Sequence, residues 1–600
     1  MNRKILLTPQ TLVDPLGVTA RTPVTLAARP AKLDGAQLLF MDNGQLAAGW
    51  PRYGTLFDLL QAELEARHAG LRFARRKAGL VQSTEADLQA LVAAIRADGV
   101  NAVVIALGHA GVTLPSVLFA AELERNGIPA VLLCTPLGGP LAEIMTQGYV
   151  PGLPVLVTQP DANHDAAMVQ AAAKALVAPI VAGLTGGKSA ARKGRTGAGK
   201  GKGAARGAGP ALVPASGKVS GMGTLRLKSR ASVAVPARGS DAWQAETDPS
   251  LFAEGLYAAL CEGGMCDGFP VIAPTPARVR AMLRFTDRPA DHVLVPEVPP
   301  SGAAITVGKI AVSAVMAGCL PEYFPIVLTA FEAMAEPRYR LFQGVITTHP
   351  AGNAVIVSGP LARELGIHSG AGCMGPGFRA NATIGRAITL AMLNIARAIP
   401  GRSDLSSFGS PAEYSYCFAE TDENHPWQPF HVEFRDAATT TVTVHKVEGP
   451  HNVIAHLGPR PEDILQAVSA QAATIAGNNY SWPCELIVVL NPAHARSIAA
   501  AGWSKADVQQ YLFEHARNPV EPMRRAHGIP AEWPAWFANE ERVPVVTEPR
   551  EIHVFVAGAA GPHDMVCPPW GLSRLVTRAV TRADGRAVRS LADFTRRRGR

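Results

Sequence analysis

Two hydrophobic patterns alternate along the first 185 residues. Short unbroken apolar runs read as buried strands, and longer stretches with apolar residues at helical spacing read as amphipathic helices. The runs Gln37–Met41, Ala102–Leu107 (AVVIAL), Ala130–Cys134 and Val155–Val157 predict strands. Between them, Leu56–His68, Ala86–Asp98 and Val117–Asn126 predict helices. Strand and helix alternating at this spacing, with strands lacking polar alternation, point to a parallel sheet covered on both faces. Ligands of such sheets sit beyond the strands' carboxyl ends, at loops such as Gly108-His109-Ala110-Gly111.

The pattern resumes beyond residue 240. Helices are expected over Pro249–Leu260, Ile310–Ala317 and Thr383–Ala398, with another starting near Pro321. Strands are expected at Gly344–His349, Ala354–Ser358, Thr441–His445, Leu486–Leu490 and Ile552–Val556. Tyr414–Glu423 reads as an irregular polar-aromatic patch and Gly449–Asn452 as a turn. Both halves are therefore expected to be α/β, the larger of two subdomains meeting at a cleft. No internal repeat is visible.

Composition divides the chain. Gly186 to Ser240 holds twelve Lys or Arg residues and no Asp or Glu, around the run GGKSAARKGRTGAGKGKGAARGAG. Such a segment buries too little to offset the entropy of ordering it, which predicts a mobile tether. The expected organisation is thus 1–185, a basic linker 186–240, and 241–600. The net charge of +8 belongs to the linker: without its twelve cations, 45 basic residues face 49 acidic ones, about −4. Specific nucleic-acid binding is not expected, since no aromatic residues interleave the cations. No run reaches the ~18–20 apolar residues of a membrane span. Eight scattered cysteines show no paired framework, which fits a reducing cytoplasm.

Candidate chemistry concentrates in 261–386. Cys319 precedes the helix expected at Pro321, where the helix dipole would favour a thiolate, with Glu322 one turn away. Cys261 and Cys266 are spaced C-x4-C, which is not a zinc knuckle, and Asp267 follows them on a turn. The glycine-rich stretch holding Gly375 and Gly377 runs into Arg379, Asn381, Thr383 and Arg386. Free N–H groups, a helix N-terminus and two guanidiniums suit a phosphate or carboxylate. Thr348 and His349 lie where a strand is expected to end, and His563 sits in a glycine-rich loop as a candidate base. His349, His368, Glu322 and Asp267 have no metal-ligand spacing, and no cofactor can be named. Gly183–Ser189 mimics a phosphate loop but has Ala182 where a glycine is required.

The segments ARPAKLDGAQLLFMDNGQ and DGVNAVVIALGHAGVTLPSVLFAAELERNGIPAVLLCT resemble the UGSC family of predicted redox proteins. That family carries a selenocysteine-or-Cys, Gly, Ser, Cys motif after its central strand. The alignment implied by the resemblance puts His109 at the first reactive position and Val112 at the second Cys. A two-thiol cycle needs two sulfurs within reach, so the first unit is expected to be a degenerate copy kept for binding or assembly. In the second unit, DGFPVIAPTPARVRAML, AVMAGCLPEYFPIVLTAFEAM, FRANATIGRA and AGWSKADVQQYLFEHAR resemble an uncharacterised bacterial family often encoded near, or fused to, UGSC-like proteins.

These readings lead to an enzyme acting on a small anionic substrate. Cys319 would be its thiolate, Arg379, Asn381, Thr383 and Arg386 would hold the anion, and Asp267, Glu322 or His563 would move protons. The resemblance tilts the chemistry toward thiol redox. A hydrolase or lyase, and a ligand-binding scaffold, are the alternatives. The chain is expected to be cytoplasmic with no membrane partner, a homo-oligomer being allowed.

Overall fold

The computed structural model describes residues 23–43, 53–77, 80, 83–107, 112–135, 138–158 and 166–186. It also describes 249–595 apart from 424, 456–457, 476, 482, 527–532 and 572. Short strands are described at Arg3–Leu6, Thr11–Val13, Leu212–Val219, Met222–Leu227 and Ser232–Val235.

In the first unit the elements run β1 (Gln37–Asp42), α1 (Gly54–Glu65), β2 (Arg72–Lys77), α2 (Glu85–Ala97), β3 (Ala102–Leu107), α3 (Thr113–Arg125), β4 (Ala130–Cys134), α4 (Gly139–Tyr149), β5 (Val155–Val157) and α5 (Ala166–Thr185). The five strands are parallel in the order β2-β1-β3-β4-β5. Apolar residues on successive positions of β3 and β4 leave these strands fully buried between helices. Sequence periodicity does not reveal β2, because RFARRK is an edge strand whose cations face water. By length and composition α5 could cross a membrane. Instead Val169, Ala173, Leu176, Ile180 and Leu184 pack it against one face of the sheet.

The tether expected over 186–240 is described only in part. The glycine-rich run 187–211 lies outside the described residues. The strands at 212–235 pair among themselves and with the two N-terminal strands. The two units also touch. Leu141, Met145 and Tyr149 of α4 belong to the same apolar cluster as Val298, Ala303 and Ile305. A Cβ on Gly148 would lie 3.0 Å from the Ser301 carbonyl oxygen.

The second unit begins with α6 (Pro249–Glu262), followed by α7 (Val307–Ala317) and α8 (Phe324–Met334). Next come β6 (Gly352–Ser358), α9 (Arg379–Ala391), β7 (Cys417–Ala419), β8 (Thr441–Val447), β9 (His451–Ile454) and α10 (Pro461–Ala472). The last elements are β10 (Leu486–Leu490), α11 (Pro492–Ala500), α12 (Lys505–His515), β11 (Ile552–Val556), β12 (His563–Cys567) and β13 (Val576–Ala579). Two four-stranded sheets result, ordered β7-β6-β8-β13 and β9-β12-β10-β11. Each has one parallel pair (β6 with β7, β10 with β11) followed by two antiparallel pairings. The halves therefore repeat one plan with their edge strands exchanged. β9 follows β8 but joins the second sheet, and β13 follows β12 but joins the first.

Alternation along the strands builds four layers. Val355, Val357, Val442 and Val444 face the helical layer of α8 and α9. Leu486, Val488, Ile552 and Val554 face α10 and α12. Ile356, Phe418, Ile487, Val489 and Phe555 meet between the sheets. The subdomains thus join on a closed core rather than across a cleft. Three local expectations are corrected. Leu341–Val345 is a helical turn, not the start of a strand, and Cys417–Ala419 is a buried strand. His563 opens a strand rather than a helix-bound loop.

Candidate functional site

The predicted residues of 267–386 do converge, but they satisfy one another. Arg386 on α9 makes a bidentate pair with Asp267 at 2.7 and 2.8 Å and donates further to the Phe269 and Pro270 carbonyls. The Asp267 side chain is 3% exposed. Arg379 donates from Nε and Nη2 to the Gly318 carbonyl. The Asn381 amide nitrogen donates to the His368 and Cys373 carbonyls, while its oxygen accepts the His368 N–H. Thr383 turns its hydroxyl back to the Arg379 carbonyl. Gly375 and Gly377 lie in the exposed part of this loop, Gly377 at φ +117°. These groups knit a loop and a helix together, and neither guanidinium is left aimed at an anion.

Cys319 is reversed in character. The helix expected near Pro321 is present, a 3-10 turn at Pro321–Tyr323 running directly into α8, so it is burial and not the lack of a helix end that decides the thiol's state. The thiol is buried and donates to the Thr383 carbonyl at 3.2 Å. Burial pushes it up to about 12 against the pull of that hydrogen bond and of Arg379 and Arg386, which disfavours the thiolate. The Glu322 Oε2 atom is buried with no hydrogen-bond partner among the described residues.

His563 is exposed and far from this cluster in the fold; its carbonyl accepts from Asn491. The neighbouring Asp564 is the buried one, and its carboxylate holds His494 Nδ1 at 2.6 Å. Among the described residues no three His, Cys, Asp or Glu side chains are placed to hold a metal ion. His349, His368, Glu322 and Asp267 do not form one site. Asp267 is on Arg386, His349 is on Glu448, and the His368 ring stacks on Phe378 at 3.7 Å.

A cavity of about 430 Å³ opens beside the β6–β8 pair, between the segments 339–353 and 389–414, and it lies within the range of small-molecule sites. Lys446 and Asn353 face each other across the antiparallel β6–β8 pair and both line this cavity. Lys446 is 8% exposed, and its ammonium reaches Asn353 Oδ1 at 3.4 Å. The Tyr339 hydroxyl donates to the same oxygen at 2.7 Å and fixes the amide's orientation. Among the described residues Lys446 has no ion pair within 4.0 Å. Burial pulls its ammonium below the usual lysine range, and Asp404 and Glu413 oppose the shift. Both acids line the cavity too. Burial raises each of them, Glu413 further because Asp404 is near.

Of the predicted residues, Asp267 and His349 line this cavity, and His349 is held by a 2.7 Å pair with Glu448. Burial would raise Glu448, but hydrogen bonds from His349 and His451 outweigh it and hold the carboxyl down at about 2. Thr348 stands beside the wall, its carbonyl accepting the Ser407 N–H. Apolar walls come from Leu341, Val345, Met392 and Leu393.

Backbone irregularity gathers here. α9 ends in a π-helical turn, Met392–Ala396, a feature frequent at functional sites. Among the described residues the two non-glycine positions with positive φ are Arg340 (56°) and Arg397 (63°). Each adjoins residues that line the cavity, and strain of this kind clusters at working sites. Sequence reading misses Lys446, Asn353, Asp404 and Glu413. The available signal is a Lys in an otherwise apolar strand, TVTVHKV, paired by register with the Asn of GNAVIVS.

In the first unit the sheet order changes direction between β1 and β3, the usual place for a ligand. The described residues there are tied down. Asn43 donates to Ser116 Oγ at 2.8 Å and Tyr53 donates to the Leu107 carbonyl at 2.8 Å. His109 lies outside the described residues, and Val112 is buried at the start of α3. Comparison with curated proteins gives no match, and comparison with solved structures gives none. Residues 11–186, the whole of this parallel-sheet unit, match the UGSC family.

Proposed function

We propose that the second unit is an enzyme acting on a small carbonyl compound, with Lys446 as an imine-forming amine. The observation that carries this reading is a buried lysine without an ion pair, on the wall of a small-molecule-sized cavity that also holds the carboxyl groups of Asp404 and Glu413, besides the Arg386-paired Asp267. Burial lowers the ammonium's pKa from the usual lysine value and so favours the neutral amine, which is the nucleophilic form.

The amine nitrogen attacks the carbonyl carbon, a C–N bond forms, and the oxygen becomes a hydroxyl. Asp404 or Glu413, which burial shifts toward the protonated form, gives a proton to the departing hydroxyl. Water leaves and a C=N bond remains. Asn353, held by Tyr339, positions the amine. The acids outnumber the lysine in this cavity, which favours a neutral substrate over the anion expected from sequence.

Treatment with acetaldehyde and cyanoborohydride at pH 7 tests the reading by peptide mass analysis. The expected result is one dominant reduced adduct, on Lys446, absent from a folded Lys446→Met variant. Adducts spread over exposed lysines, unchanged in that variant, would overturn it and leave a binding or scaffold role.

A further inference from the structure

Cys261 and Cys266 are joined in a disulfide, against the expectation of unpaired thiols. The bridge spans the turn that ends α6, with a sequence separation of 5. A bridge joining a helix end to its own next turn ties no distant parts together, and the entropy removed from the unfolded chain falls with ring size. Cys261 is exposed and Cys266 partly exposed, whereas the six other cysteines are buried. This sulfur pair is thus the accessible one among the described residues.

The bridged turn bears on the Lys446 cavity at three points. Asp267 follows Cys266 and lines the cavity while paired to Arg386. Phe269 meets the ring of Tyr414, another lining residue, edge-on at 4.8 Å. The Gly264 carbonyl, inside the bridged ring, accepts from Arg397 at 3.2 Å, and Ala398 beside it is again part of the wall. The turn is also fastened by the Tyr257 hydroxyl donating to the Gly268 carbonyl.

We propose that Cys261–Cys266 is a thiol–disulfide exchange site for an external dithiol, and that its redox state sets access to the cavity. A thiolate of the dithiol attacks the exposed Cys261 sulfur, the S–S bond breaks, and Cys266 leaves as a thiolate. The reductant's second thiol then displaces Cys261, and the reductant departs as a disulfide having supplied both electrons. The opened ring frees Gly263 and Gly264 to move, which loosens the wall residues Asp267 and Tyr414, the latter through its contact with Phe269. The proposal rests on the reading of that cavity as the site of Lys446 chemistry.

The test uses the full chain before and after mild dithiothreitol treatment followed by iodoacetamide. Two alkylated thiols per chain, at 261 and 266, are expected. Hydrogen–deuterium exchange should then rise at 264–270 and along the walls at 341–353 and 404–414. Cyanoborohydride trapping of benzaldehyde, a bulky probe, on Lys446 should become about five-fold faster or more. A Cys261→Ser/Cys266→Ser variant should behave like the reduced form and ignore dithiothreitol. A bridge that resists the reductant, or exchange at the walls that is identical in both states, would overturn the proposal. Altered wall exchange with no Lys446 adduct in either state would instead defeat the imine reading and leave the switch standing.

Discussion

The Arg379–Arg386 cluster and the Lys446 cavity follow one another along α9 and meet at Asp267, and they use charge in opposite ways. In the first, Asp267 meets Arg386, and Arg379 and Asn381 meet backbone carbonyls, so the residues expected to hold an anion have partners within the protein. In the second, a lysine and two acids share a cavity without pairing, and burial shifts all three toward neutrality. A satisfied cluster holds structure together. A frustrated one keeps reactive groups available, which is the usual mark of a working site. The residue types alone suggest the reverse assignment, because arginines after a glycine-rich loop look like a binding site and a strand lysine looks like surface.

Substitutions should separate the two regions. The largest effect is expected from Asp267→Ala, which removes the carboxylate from a mostly buried guanidinium and leaves it backbone carbonyls alone, and should cost about 3 kcal/mol in urea unfolding. A cost below about 1 kcal/mol would show that the pair is not structural.

The next effect concerns the space between the sheets, where His445 and His553 sit. Burial holds them neutral, His445 down to about 4 and His553 down to about 3. Unfolded, they bind protons below about 6.5. The unfolded chain therefore takes up more protons as pH falls from about 6.5 toward those values. The histidines' contribution to stability, complete above pH 6.5, is lost across that window. For His445 the loss amounts to about 3 kcal/mol. Measured between pH 7 and 4.5, His445→Gln should show a shallower decline than the parent chain.

Lys446→Met comes third. Replacing an unpaired buried cation with an apolar side chain should change stability by less than about 1 kcal/mol or raise it. The same variant should lose the aldehyde adduct entirely. Destabilisation comparable to that of Asp267→Ala would erase the contrast between the regions.

The smallest effect is expected at Cys319. Its thiol should resist maleimide at pH 8 in the folded chain, and Cys319→Ser should leave Lys446 trapping unchanged. Rapid labelling would restore Cys319 as a candidate thiolate.

The strands most legible in the sequence are those buried on both faces. AVVIAL, AVLLC and LIVVL carry no polar alternation and match β3, β4 and β10. Edge strands escaped, since RFARRK faces water and Cys417–Ala419 has three residues. GVITTH looked like a strand because β-branched residues crowd it, yet its first residues close a short helix. The repeated plan of the second unit stayed hidden because each half donates its last strand to the other.

By itself the sequence determined the α/β character of both units, the break in composition near residue 186, and the neighbourhood of Asp267, Cys319, Arg379 and Arg386. Those features depend on local periodicity and composition, which a chain displays without folding. Tertiary structure alone decided which polar groups are satisfied and which are not. Lys446 comes from a strand and Asp404 and Glu413 from the irregular segment before it, and their protonation is set by burial and by each other. Neither exists until the sheets close. The same holds for Cys319, whose thiolate a helix end would favour and whose burial forbids it.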